Sequence, residues 1–153
     1  MHAAHDLQER LAKQMRRAFF DQLELALEEH GNAKSVDWLI RLHAELGARF
    51  KAVLPSKHRD ISDRFDNALF AQQLSSGAYG SEQLGPLIEY TWALLRMACA
   101  PDMDTAVQAA YNKVAASLVP GAAFSTVVPL YLKCAHEQVD EVVRRIGELN
   151  QRG

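Results

Sequence analysis

Apolar residues return every third or fourth position along almost the whole of this 153-residue chain. That spacing places them on one face of a helix, which turns once in about 3.6 residues, whereas a half-buried strand needs alternation at every second residue. Leu7, Leu11, Met15, Ala18, Phe19, Leu23 and Ala26 follow the rule up to "HGN", where Gly31 can adopt the left-handed backbone that ends a helix. Ser35 is placed to cap a second helix. Val36, Leu39, Ile40, His43, Leu46, Phe50 and Val53 line one side of it until Pro55 stops it.

A third helix is expected to carry Ile61, Phe65, Ala68, Leu69 and Gln72, and "SSG" at 75–77 to end it. Ser81 is placed to open a fourth, whose stripe is Leu84, Leu87, Ile88, Thr91, Leu94, Leu95 and Ala98, with Pro86 tolerated near its start. Ala106, Val107, Ala110, Val114 and Leu118 form the stripe of a fifth, broken by "PG" at 120–121. The last begins between Phe124 and Pro129 and carries Leu130, Cys134, Val139, Val142, Val143, Ile146 and Leu149. "STVVPLYL" is locally β-prone, but Pro129 cannot donate to a sheet ladder and the helical pattern resumes after it. Linkers of a few residues favour antiparallel packing of neighbours. The expected architecture is all-α: one domain over 1–153, a bundle of about six helices with mostly antiparallel neighbours.

Composition narrows the function classes. Hydrophobic residues at 48% and charged residues at 24% match an ordinary globular domain, and a net charge of −2 gives no general attraction to nucleic acid or anionic lipid. Two cysteines make neither a disulfide framework nor a CxxC zinc pair. No apolar run approaches the ~20 residues of a membrane span, and "MHAAHDLQER" lacks the order of a secretory signal. A cytoplasmic protein with reduced thiols is expected.

No phosphate loop, dinucleotide fingerprint or elbow serine occurs. "HEQVD" puts His136 and Asp140 four apart, half of a metal site, but no matching segment supplies the rest, and a surface His–Asp pair is the expected reading. His43, on an apolar stripe, is expected to be a hydrogen-bonded core histidine. No metal, cofactor or small-molecule substrate is inferred.

"RMACAPDMDTAV", Arg96 to Val107, brings a cysteine and two aspartates together. Pro101 disfavours a helical Ala100, Asp102 is placed to cap the next helix, and Asp104 suits its first turn. Cys99 has no base beside it in sequence and is expected to be structural. The same stretch resembles the helix–"CAP"–acidic–helix signature of the T-complex protein 11 family. "AFFDQL" at 18–23, "VDWLIRLHAEL" at 36–46, "AVLPSKHRDISDRFDNALFAQQL" at 52–74 and "SGAYGSEQLGPLIEYTWALL" at 76–95 are similar to further family segments, in the same order. The likeness is best over 18–118. Asp102 and Met103 stand where the family usually has a basic residue, and the chain would be a short, single-domain member. The resemblance implies a helical protein without catalytic residues, associated with sperm and flagellar biology and with cyclic-AMP/protein kinase A signalling.

Residues outside the apolar stripes are the candidates for partner contact. Arg10, Lys13 and Arg17 make the first helix basic, Lys57 and Arg59 cluster in "LPSKHRD", and Phe20 and Phe70 fall off their stripes. The expected function is a non-enzymatic interaction or scaffold module within a larger ciliary or flagellar (axonemal) assembly. The alternative is a regulatory module of protein kinase A signalling acting through protein contacts. The expected partners are other proteins, and the expected setting is the cytoplasm with the cilium or flagellum.

Overall fold

Helix forms wherever the apolar spacing is helical. The computed structural model describes residues 2–29, 33–76, 81–119 and 124–152, with side-chain surroundings for 7–8, 10–18, 20–22, 37–74, 84–119 and 126–149. Among the described residues it contains α1 (His2–Glu29), α2 (Ala33–Val53), α3 (His58–Arg64), α4 (Asn67–Ser76), α5 (Ser81–Ala98), α6 (Asp104–Ser117) and α7 (Phe124–Arg152), and no strand. Short 3-10 turns at Pro55–Lys57 and Pro101–Met103 lead into α3 and α6. Each opens on a proline, whose missing N–H and fixed φ suit a first helical position. Pro86 and Pro129 lie inside α5 and α7, so "STVVPLYL" is helix rather than strand. The Gly31 cap, Gly77 and the Pro120–Gly121 break lie outside the described residues, as do the side chains of Phe19, Leu23, Ala26, Ser35 and Ser81.

The third expected helix is two. α3 ends at Phe65, whose N–H still bonds the Ile61 carbonyl at 2.8 Å while its own ψ of 65° leaves the helix. Asp66 then accepts from the Leu69 N–H at 3.0 Å and so opens α4. The break lets Phe65 turn inward, where it is buried against α2. It lies over Gly47 of α2, where a Cβ would stand 3.4 Å from the Phe65 Cβ, in ordinary van der Waals contact.

One continuous core runs through the bundle. α7 is its central post, packing against α1, α2, α5 and α6. Trp92 on α5 is fully buried, and its indole N–H donates to the Val107 carbonyl of α6 at 3.0 Å, so no polar edge is stranded. Arg96 reaches Gln108 and Tyr111 reaches back to Glu89, which fixes α5 and α6 as antiparallel. α1 runs antiparallel to α7, since Arg16 meets Asp140 and Phe20 approaches His136. Among the described residues no helix is long and apolar enough to cross a membrane.

The described part of the stripe that the spacing marks on α1, from Leu7 to Ala18, does not enter this core. Leu7, Leu11 and Met15 are 55%, 48% and 71% exposed, and Ala18 is exposed as well. α1 packs instead through Arg16 and Phe20, on the opposite side of the helix. Hydrophobic spacing fixes a face, but a neighbour must exist to cover it. The neighbour of α1 presents Asp140, which draws Arg16 inward.

Candidate interaction surface

The inward face of α1 explains its orientation. Arg16 and Arg49 both donate to Oδ1 of Asp140, at 2.5 and 2.6 Å, and Arg16 also lies 3.5 Å from Glu45. Arg16, Arg49 and Asp140 are largely buried while Glu45 is exposed, so the shared Asp140 carboxylate ties α1, α2 and α7 together. Burial, followed by the neighbouring Arg16, holds Arg49 below its ordinary pKa, and Asp140 opposes that shift.

His136 completes the cluster and corrects the surface reading of "HEQVD". Its side chain is 0% exposed, its Nδ1 accepts from Arg49 at 3.0 Å, and its Nε2–H donates to the Leu42 carbonyl at 3.0 Å. Both ring nitrogens are therefore engaged. Burial lowers its pKa to about 3, and the guanidiniums of Arg49 and Arg16 push the same way. Among the described residues no group of three His, Cys, Asp or Glu side chains is placed to hold a metal.

His43 is the core histidine that its stripe implies. It stacks on Phe70, with ring centroids 4.0 Å apart and nearly parallel, and on Phe65 at 5.0 Å. Its Nδ1–H donates to Oδ1 of Asn67 at 2.7 Å, while Nε2 is buried without a partner. Burial lowers its pKa to about 4.

Cys99 is half-buried at the end of α5, its N–H bonded to the Leu95 carbonyl at 2.9 Å. Burial first, then the charge of Asp104, pushes its thiol up to about 11, the reverse of an activated nucleophile. Asp102 does not cap α6, as the spacing suggested. The 3-10 turn and α6 open without a side-chain cap, and the Asp102 carboxylate instead accepts from Arg145 of α7 at 2.6 Å to each oxygen. A long-range cation outcompetes the local N–H groups, which the turn itself partly satisfies. Asp104 does sit in the first turn of α6.

The sequence-derived contact residues separate into two groups. Phe20 and Phe70 are 3% and 2% exposed, so they are not surface residues. Phe20 points at His136 from α1, and Phe70 covers His43 from α4, because the off-stripe sides of both helices are the sides that pack. Arg10, Arg17, Lys57 and Arg59 are exposed, and Lys13 is half-buried. Arg10 and Arg17 sit on α1, whereas Lys57 and Arg59 sit on the turn and helix that follow α2.

The exposed side of α1 was read from sequence as core. At 100° per residue, Leu7, Leu11 and Met15 form one ridge with Arg10 and Arg17 along one edge and Gln8 and Ala12 along the other. A signal for the outward orientation was present in the composition of the opposite side. Arg16 and Lys13 lie with Phe20 there, and a buried arginine demands a carboxylate that only another element can bring.

An all-α bundle built on a central helix is the class this architecture defines. The family model described as T-complex protein 11 matches residues 2–151. The chain belongs to the T-complex protein 11 family. No curated protein and no solved structure gives a significant match to it.

Proposed function

We propose that the chain is a non-enzymatic interaction module that docks onto a larger protein assembly through the outer side of α1. One observation carries this reading: a ridge of Leu7, Leu11 and Met15, edged by Arg10 and Arg17, stands open to solvent on a helix whose other side is packed. Three large apolar side chains aligned on one helix cost solvation unless something covers them. The polar and nucleophilic groups point the same way, since His136 is saturated by protein hydrogen bonds and Cys99 is held as a thiol. A ciliary or flagellar assembly is the setting that the family's associations favour.

The test is co-purification from native cells with Arg10→Glu/Arg17→Glu and Leu11→Glu variants. The expected result is loss of the assembly from both variants, with helicity and melting temperature near wild type. Folded variants that co-purify with the assembly unchanged defeat the reading. Retention of protein kinase A subunits as the α1-dependent partners favours the signalling role over the structural one.

A further inference from the structure

Resting on the docking reading, we infer that the ridge of α1 receives an amphipathic helix of the partner, apolar on its contact face and acidic along one edge. Leu7, Leu11 and Met15 are spaced four apart, so they form one of the inclined ridges by which helices interdigitate. The ridge spans about 12 Å, a little over two turns, which is the reach of one crossing helix. Its cations are on one side: Arg10 and Arg17 stand on one edge, with Asp21 one turn past Arg17, and neutral Gln8 and Ala12 stand on the other, all exposed. Both arginines are exposed and stand apart from the inner cluster. That cluster recruits Arg16 instead, which lies on the packed side. A partner helix with Asp or Glu along the edge facing Arg10 and Arg17 matches this pattern, and its apolar face covers the ridge.

Two other occupants fit less well. A second copy laid antiparallel on the same ridge sets basic edge against basic edge. Laid parallel, it sets Arg10 and Arg17 against Gln8 and Ala12, and the described acid on its basic edge, Asp21, lies beyond the end of the ridge. A helix lying in a membrane surface keeps its polar side in water with cations on it. Here the opposite side of α1 is packed on α7 through Arg16 and Phe20, and the chain as a whole carries −2.

The experiment titrates the full chain with two designed helical peptides of about 18 residues, sharing one leucine face and carrying either glutamates or lysines along one edge. Fluorescence anisotropy reads binding, vesicles of phosphatidylcholine with phosphatidylserine serve as the lipid arm, and sedimentation reads self-association. The glutamate peptide should bind at least about tenfold tighter than the lysine peptide, the preference weakening with salt. Arg10→Glu/Arg17→Glu should reverse that preference, and Leu11→Glu and Met15→Glu should each abolish binding of both peptides. Equal binding of the two peptides, binding to vesicles in preference to either, or a dimer lost in Leu11→Glu overturns the inference. If neither peptide binds while native assembly still depends on Leu11, the inference fails and the docking reading stands. If assembly is also indifferent to Leu11, both fail.

Discussion

Arg49 donates a hydrogen bond to Nδ1 of His136 at 3.0 Å, so a guanidinium faces an imidazole that must stay neutral. A charged imidazole there would lose its acceptor and meet a cation. His136, with a pKa of about 3, and His43, with a pKa of about 4, both bind fewer protons folded than unfolded, where the ordinary value is 6.5. Their contribution is therefore complete above 6.5 and lost as pH falls toward the folded values. At pH 5 the loss is about 2 kcal/mol for each histidine. Urea midpoints measured from pH 7.5 to 4.5 should fall accordingly. His43→Phe, which keeps a ring against Phe65 and Phe70, should remove about half of that fall.

Asp140 is shared by two largely buried arginines. Asp140→Asn should cost roughly 3–5 kcal/mol, because it leaves two cations facing each other without their carboxylate. Adding Arg16→Gln should recover part of that loss, since one stranded charge goes with it. Chemical denaturation of the two single variants and the double variant measures the coupling. Strictly additive losses would contradict the shared-carboxylate account.

The α1 ridge gives a sharp stability test. Leu11→Gln should change stability by no more than about 0.5 kcal/mol, as expected for an exposed site. A core leucine truncated or made polar would cost several times more. Thermal melts of the purified variant separate these outcomes.

Cys99 should react slowly with a thiol reagent at pH 7.5 compared with the urea-unfolded chain, because a pKa of about 11 leaves little thiolate. Cys99→Ala should cost no more than about 1–2 kcal/mol. Rapid labelling of the folded protein would place the thiol in a different environment.

Zinc should leave the melting temperature unchanged, since both nitrogens of His136 are already bonded to protein. A rise that is abolished by His136→Ala would mean the metal displaces Arg49 and the Leu42 carbonyl.

The sequence by itself determined the helical class, the stops at Pro55 and Pro101, and the buried stripes of α2 and α5. These follow from local chemistry: the 3.6-residue turn, the missing proline N–H and the apolar spacing within each segment. It also carried the family resemblance in the order of its segments. What only the tertiary structure decided was which side of each helix found a neighbour. Phe20 and Phe70, off the stripes, went inside because His136 and His43 met them there. Leu7, Leu11 and Met15, on the stripe, stayed outside. Arg16 turned inward toward a carboxylate 124 residues away, and the helix expected through Phe65 broke so that its ring could lie over Gly47. Periodicity is a property of one helix. Burial is a property of at least two, and the charge that selects the buried side can lie anywhere in the chain.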